Sequence, residues 1–185
     1  MKTKRLAIIF PGMGYHKDKP LLYYSSKLAQ GKDYEIINIE YHDLPEKVRG
    51  DAEKMKAAAD IAYKQAEEQL EGVAFSAYED ILFIGKSIGT VIAAKYAMAH
   101  DLKVRQIWYT PVEATFSFGS RNAIAFIGEA DPWSDLNNVR KLAAENGIEL
   151  RTYPECNHSL ESADVIRNIE YMTSVMRLTK EFIER

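Results

Sequence analysis

The chain has little of what would place it in an oxidising compartment or in a membrane. It contains one cysteine, Cys156, so no disulfide can form within its 185 residues. It also lacks a long apolar run, since the first one, residues 6–10, is stopped by Pro11-Gly12. Such a run is too short for the core of a signal peptide and far too short to cross a bilayer. We therefore expect a cytoplasmic protein with no membrane association.

The chain also has no excess of positive charge. Its 24 Lys and Arg residues are outnumbered by 27 Asp and Glu residues, and no basic stripe or cluster stands out. Binding to nucleic acid depends on such clusters for its phosphate contacts, so nucleic acid is not an expected partner. The length is suited to one hydrophobic core and leaves little for a second, so we predict a single domain over residues 1–185.

Short apolar runs alternate with longer helical patterns along the whole chain, an order typical of parallel strands connected by helices. The predicted strands span residues 6–10, 34–40, 81–84, 104–109, 123–127 and 149–153. The predicted helices span residues 19–30, 51–71, 88–100, 134–146 and 163–184. Right-handed crossovers would put helices on both faces of the sheet. The sequence thus predicts an α/β fold, a three-layer sandwich with about six mostly parallel strands.

The segment Gly85-Lys86-Ser87-Ile88-Gly89 lies between an apolar run and a helical pattern. A phosphate-binding loop ending in Gly-Lys-Ser would need glycine at position 80, where this chain has Asp80. The pattern G-x-S-x-G between a strand and a helix instead holds a serine in a strained turn, with glycines where the two elements pack closely. We interpret the segment as a nucleophile elbow that presents the hydroxyl of Ser87.

Two other strand ends carry an acid and a histidine. Residues 128–133, Gly-Glu-Ala-Asp-Pro-Trp, follow the fifth strand, and residues 157–159, Asn-His-Ser, follow the sixth. Ligands bind outside the carboxyl ends of such strands, so these side chains are expected to meet Ser87. On these three motifs, in the chain order Ser87, Asp131, His158, the sequence resembles the α/β-hydrolase family over nearly its whole length.

The resemblance implies a role for each of these residues. Ser87 would be the nucleophile, His158 the general base and later the general acid, and Asp131 the residue that orients the imidazole. It also implies an oxyanion hole formed by the backbone N–H groups of Met13 and Ile88.

The sequence departs from the family in several places. Many relatives have His-Gly where this chain has Pro11-Gly12, and a further glycine where it has Thr90. The loop of residues 110–122 is too short for the helical cap that many relatives carry, so we predict an open, lidless site. For the acid, Glu129 and Asp135 remain alternatives to Asp131, because a shifted turn would present either of them instead.

Four further residues are expected to contact the substrate. Tyr15 and Trp133 lie near strand ends, where aromatic rings can line an apolar acyl pocket or cap the core. His16 is expected at the rim of the substrate site or in solvent. Lys86, beside the nucleophile, would attract an anionic substrate or be a solvated loop charge. Further aromatic candidates for the pocket are Tyr109, Phe116 and Phe118.

No metal or cofactor is predicted. Gly12-x-Gly14 hints at a dinucleotide fingerprint, but the third glycine would fall on Lys17. The expected activity is cleavage of a small-molecule ester or thioester through an acyl-enzyme. A peptidase or an acyltransferase would use the same residues, and a non-catalytic module that binds a ligand or partner on this fold is the alternative from another class. The oligomeric state is not indicated by any pattern in the chain.

Overall fold

The computed structural model describes residues 4–120 and 122–185. The strands in these ranges are β1 (Arg5–Phe10), β2 (Tyr34–Asn38), β3 (Asp80–Lys86), β4 (Arg105–Tyr109), β5 (Ala123–Gly128) and β6 (Glu149–Tyr153). The α-helices are α1 (Pro20–Gln30), α2 (Ala52–Leu70), α3 (Ile88–Ala99), α4 (Leu136–Glu145) and α5 (Val165–Glu184). Short 3-10 helices span Phe75–Ala77 and Glu113–Phe118.

All of the predicted strands and helices are present, and none of their ends differs from the prediction by more than two residues. The single domain predicted over residues 1–185 and the loop predicted over residues 110–122 include positions 1–3 and 121, which lie outside the described residues. The single-domain assignment itself stays a prediction.

The strands form one sheet in the order β2-β1-β3-β4-β5-β6, and every neighbouring pair is parallel. The chain adds β2 on one side of β1 and then crosses to add β3 on the other side. Phe10 of β1 pairs with Gly85 of β3, so the two strands end at the same level. A parallel sheet binds its ligands outside the carboxyl ends at such a reversal of strand order. The fold therefore directs attention to the segments that follow β1 and β3.

Helices cover both faces of the sheet, which confirms the predicted three-layer arrangement. Alternate side chains of each strand point to opposite faces. Ala7 and Ile9 of β1 belong to the core packed under α1 and α5. Leu6 and Ile8 belong to the core under α2 and α3, and α4 packs beside α3 on that same side against Trp108. Because all of these strand side chains are fully buried, the sheet is a rigid base for the loops at its end.

Several helices begin at an aspartate that caps them. The side chains of Asp51, Asp135 and Asp164 accept hydrogen bonds from the first free backbone N–H groups of α2, α4 and α5. Such caps stabilise a helix by about 1 kcal/mol each. Across residues 4–120 and 122–185, none of the helices combines the length and the apolar character that a membrane crossing needs.

Candidate active site

Ser87 lies in a strained turn between β3 and α3. Its backbone has φ 55° and ψ −123°, a conformation that residues with a Cβ rarely adopt. The turn has no room for side chains on its flanks. A Cβ on Gly89 would lie 2.0 Å from the carbonyl oxygen of Phe10, and a Cβ on Gly85 would lie 2.8 Å from Thr90 Cα. The two glycines are thus required where the G-x-S-x-G pattern predicts them.

A continuous hydrogen-bond chain joins Ser87, His158 and Asp131. His158 Nε2 lies 2.8 Å from Ser87 Oγ, and His158 Nδ1 lies 2.8 Å from Asp131 Oδ2. Because a carboxylate only accepts, the Nδ1 atom carries the proton and Nε2 is left to accept from the serine hydroxyl. The second carboxylate oxygen, Asp131 Oδ1, accepts the backbone N–H of Trp133 at 2.9 Å. The aspartate is therefore held at both oxygens.

The two acids that competed with Asp131 in the sequence are engaged elsewhere. Glu129 Oε1 accepts from the Arg140 guanidinium at 3.0 Å and from the Thr152 hydroxyl at 2.8 Å. Asp135 accepts backbone N–H groups at the start of α4. Only Asp131 of these three reaches the imidazole of His158, so the geometry removes the ambiguity that the sequence left.

The loops after β5 and β6 are held together at Gly128. A Cβ at this position would lie 2.1 Å from the carbonyl oxygen of Cys156, so only glycine lets the two backbones approach. The backbone N–H of Ala130 donates to that same carbonyl at 3.0 Å. This contact fixes the distance between the segment that carries Asp131 and the segment that carries His158.

His158 is mostly buried, with 17% of its side chain exposed. Burial lowers its pKa below the ordinary histidine value, the hydrogen bond to Asp131 opposes that shift, and the charge of Lys86 lowers the pKa further. The ring of Trp133 stacks on the imidazole, with 5.4 Å between the ring centres. The histidine is thus neutral at neutral pH and ready to accept a proton.

Lys86 is fully enclosed, with 1% of its surface exposed, so the alternative of a solvated loop charge is wrong. The reason is that β3 continues through Lys86, which keeps its side chain within the packed layers. Its Nζ lies 5.1 Å from the centre of the Tyr15 ring. Burial lowers the pKa of Lys86 to about 7, while the charge of Asp131 opposes the shift and that of Lys19 adds to it.

This buried lysine should make the stability of the protein depend on pH. An unfolded chain holds the proton of Lys86 up to a pKa near 10.5, whereas the folded chain releases it at about 7. Between these values the unfolded state binds more protons, so the free energy of unfolding rises with pH. We expect that rise, between about pH 7 and about pH 10, to be greater in wild type than in Lys86→Met by about 3 kcal/mol.

Urea unfolding across this range checks the expectation. Lys64→Met is a suitable control, because Lys64 is an exposed lysine of α2 that pairs with Glu68. The control should follow the wild-type pH dependence. Parallel curves for wild type and Lys86→Met would contradict a shifted pKa at this position.

The turn after β1 lies against Ser87. Gly12 and Tyr15 exchange backbone hydrogen bonds of 3.0 and 3.3 Å, which makes the turn tight. A Cβ on Gly12 would lie 3.4 Å from Ser87 Cβ. Across residues 4–120 and 122–185, neither the N–H of Met13 nor that of Ile88 donates to another protein group. The two groups predicted to form the oxyanion hole are thus free to receive a ligand oxygen.

A pocket of about 660 Å³ contains Ser87 and His158 in its wall. Its lining is mostly apolar and comes from the turn after β1, from α2, from α3 and from the loops after β4 and β5. The pocket brings together most of the residues that the sequence pointed to for substrate contact, namely Met13, Tyr15, Lys86, Ile88, Phe118 and Trp133. Contact of these side chains with a substrate stays a prediction.

Among solved structures, the chain is similar to an α/β serine hydrolase homologue from Coxiella burnetii, with a TM-score of 0.68 and 16% identity over 96% of this chain and 85% of that one. It is also similar to an esterase from Pyrococcus furiosus, with a TM-score of 0.67 and 12% identity over 99% and 83% of the two chains. The chain has the α/β-hydrolase fold. A third similar structure, an α/β serine hydrolase without a lid from Xanthomonas campestris, has a TM-score of 0.62 and 13% identity over 98% and 84% of the two chains.

The similarity is confined to structure. The chain matches none of the protein-family models, and no curated protein sequence matches it either. At identities of 12–16%, shared architecture carries no information on substrate. The reaction and the substrate of a protein with this α/β-hydrolase fold depend on the residues of its site.

Three residues that the sequence singled out lie outside the pocket of this α/β-hydrolase fold. His16 was expected at the substrate rim or in solvent, and the structure places it in solvent, where its exposed ring contacts Asp18. Tyr109 is enclosed in the core, with its hydroxyl within hydrogen-bond distance of Ser25 and Thr179. Phe116 is buried too and packs edge-on against a core tryptophan. For these three residues the pocket alternative is wrong, and the other alternative, solvent for His16 and the core for the two aromatic rings, is right. Local sequence shows that a residue follows a strand but not which way its side chain points.

The loop between β4 and β5 carries no helical cap in its described part. Residues 110–120 contain only the 3-10 helix Glu113–Phe118, as the short loop predicted. One wall of the pocket comes instead from the connection between β2 and α2. Val48 lines the pocket there, and the Arg49 guanidinium lies 6.0 Å from the centre of the Trp133 ring. The sequence had no local signal for this wall.

The helical walls of the pocket were likewise missed. Met55 and Ala59 of α2 and Val91 and Ile92 of α3 all line the pocket, and none of them was predicted as a site residue. In residues 4–120 and 122–185, no group of three or more His, Cys, Asp or Glu side chains is placed to bind a metal ion. That the site works without a metal or cofactor stays a prediction.

Proposed function

We propose that this protein is a serine hydrolase that cleaves small esters or thioesters through an acyl-enzyme. The observation that carries the proposal is the hydrogen-bond chain from Ser87 through His158 to Asp131, with the serine held on a strained turn. The similarity of this chain's structure to an esterase and to two serine hydrolases supports the same class of reaction.

The geometry suggests how each group would act. Ser87 Oγ would attack the carbonyl carbon of the substrate while its proton passes to His158 Nε2. The negative oxygen that results would accept hydrogen bonds from the N–H groups of Met13 and Ile88. Collapse of this intermediate would break the bond to the alcohol or thiol, which leaves with the proton from His158. Water would then repeat the sequence on the acyl-enzyme and release a carboxylic acid.

The polar groups around the imidazole support this cycle. Asp131 stabilises the imidazolium that forms when Ser87 is deprotonated, while burial keeps the resting His158 neutral. The apolar pocket beside the serine is suited to the acyl part of a substrate, because it offers contact area and excludes water.

The first test is covalent labelling with a fluorophosphonate, followed by measurement of the intact mass. Wild type should gain one adduct and Ser87→Ala none, because only an activated serine reacts with the probe. Ser159→Ala is the matched control, since Ser159 lines the same pocket without contacting His158 Nε2. This control should keep the adduct.

The outcomes separate the candidate functions. No adduct on folded wild type, or an adduct that persists in Ser87→Ala, would remove the support for an acyl-enzyme and favour a binding module. Labelled protein that hydrolyses a panel of short esters and thioesters would be a hydrolase. Labelled protein that passes the acyl group to an added alcohol or amine in preference to water would be an acyltransferase.

A further inference from the structure

The pocket beside Ser87 extends between α2 and α3. The two helices begin near the same point. Ile88, the first residue of α3, follows Ser87, and Arg49, just before α2, lies over the ring of Trp133, which stacks on His158 beside that serine. They are linked again further along, where Lys95 Nζ of α3 lies 3.8 Å from Asp60 Oδ1 of α2. The pocket is thus an elongated groove with the serine at one end and the link between Lys95 and Asp60 at the other.

The walls of this groove are apolar along its length. The side chains between the two ends are Met55, Ala59, Val91 and Ile92. From Ile88 to Lys95 the groove follows α3 for two helical turns, roughly 10 Å. Because the N–H of Ile88 is the proposed donor to the acyl oxygen, a chain attached to that carbonyl carbon would enter the groove where α3 begins. The walls match an unbranched apolar chain of that length.

The far end of the groove carries more positive than negative charge. Asp60 is shared by two lysines, and the shorter contact, 2.8 Å from Oδ2, is made by Lys56 Nζ. Lys95 lies beyond hydrogen-bond distance of the carboxylate and rests over the ring of Tyr63, with 4.0 Å from Nζ to the ring centre. An aromatic ring attracts an ammonium group but does not neutralise it.

Among the described residues that line the groove, Asp60 is the only acid. Glu67 interacts with the Tyr63 hydroxyl, but it pairs with His100 at 3.3 Å and does not line the groove. About a third of the Lys95 side chain is exposed, so its ammonium can be approached by a ligand. A carboxylate placed there would complete the charge balance of Asp60, Lys56 and Lys95.

We propose that the acyl group of the substrate is an unbranched apolar chain that ends in a carboxylate, with the carboxylate bound at Lys95. This inference rests on the proposed hydrolase function and names the substrate class. The corresponding substrates are half-esters or half-thioesters of linear dicarboxylic acids. Their product would be the free dicarboxylic acid, which carries two charges and would leave the apolar groove readily.

The test compares two nitrophenyl esters that differ only at the end of the chain. One is the octanoyl ester, which ends in a methyl group, and the other is the suberyl half-ester, which ends in a carboxylate. We expect kcat/KM of wild type to favour the suberyl half-ester about tenfold, because a charge-assisted hydrogen bond replaces an exposed methyl group. Raised salt should reduce this preference, since the lysine is partly exposed. The succinyl half-ester, whose chain is too short to reach Lys95, should show no such advantage over the butyryl ester.

The Lys95→Met variant should lose the preference, with the ratio of the two kcat/KM values falling to about one. The matched control is Lys64→Met, because Lys64 is a lysine of the facing helix α2 that lies outside the groove and pairs with Glu68. It should retain the wild-type ratio. Wild type that hydrolyses the two esters equally, or a ratio that falls as far in Lys64→Met as in Lys95→Met, would overturn the proposal.

Failure of the proposed function would give a different result. If wild type hydrolyses neither ester and takes no fluorophosphonate, binding can still be measured on Ser87→Ala with monomethyl suberate and methyl octanoate. Tighter binding of monomethyl suberate, abolished by the further change Lys95→Met, would support the carboxylate site without the hydrolase. Equal binding of the two esters would overturn it.

Discussion

Replacing Ser87 with alanine is expected to lower kcat by about 10⁶-fold, and His158→Ala should cause a loss of the same order. The reason lies in the 2.8 Å contact between Ser87 Oγ and His158 Nε2, through which the two side chains act as one unit. Without the histidine the hydroxyl keeps its proton, and without the serine the histidine has no nucleophile to activate. Either deletion therefore removes the whole covalent route.

The double variant is the informative control. Because the two residues act together, Ser87→Ala with His158→Ala should be about as slow as either single variant, rather than slower by the product of the two losses. The measurement is the turnover of a nitrophenyl ester by each variant, and thermal unfolding shows that each variant is folded. It tests whether the two losses in kcat multiply. Single losses of tenfold or less, or losses that multiply, would argue that the two side chains do not form a catalytic unit.

Replacing Asp131 with asparagine is expected to lower kcat by about 10⁴-fold, as in related triads. One side-chain oxygen of Asp131 accepts the backbone N–H of Trp133. An asparagine would keep its single carbonyl oxygen at that N–H, and its NH₂ group would then face His158 Nδ1. Since an NH₂ group only donates, the imidazole proton would move to Nε2, where it blocks acceptance of the Ser87 proton.

Two neighbouring acids serve as controls for this change. Asp135→Asn keeps a residue that caps α4 well, and Glu129→Gln changes a side chain that contacts Arg140 and Thr152. Neither reaches the imidazole, so kcat of both variants should stay within a few-fold of wild type. A large loss in one of these, with Asp131→Asn nearly unaffected, would reassign the acid.

Much of the site could be predicted because its signals are local. Glycines at positions 85 and 89 are required by contacts of 2.8 Å or less between their missing Cβ atoms and the backbone, so the pattern is visible in five residues. The choice among Asp131, Glu129 and Asp135 was different. All three follow β5 within a few residues, and only the path of the loop, held by Gly128 against the Cys156 carbonyl, decides which one faces His158.

The burial of Lys86 could not be predicted from the sequence. Beside a serine in a turn, a lysine is expected to reach solvent, and only the pairing of Lys86 with Tyr109 across β3 and β4 reveals that it lies inside the sheet. His16 shows the converse. It follows the same strand end as Tyr15, but the two-way backbone pairing of the turn directs one ring inward and the other outward.

The sequence by itself determined the order of strands and helices, the parallel sheet they form, and the identity of the serine, acid and histidine motifs, because periodicity, glycine spacing and chain order are properties of neighbouring residues. The tertiary structure alone decided which acid meets His158, that Lys86 is buried, and that a groove runs between α2 and α3 to Lys95. Each of these depends on elements far apart in the chain that pack together, and a one-dimensional pattern does not specify which surfaces such packing leaves open.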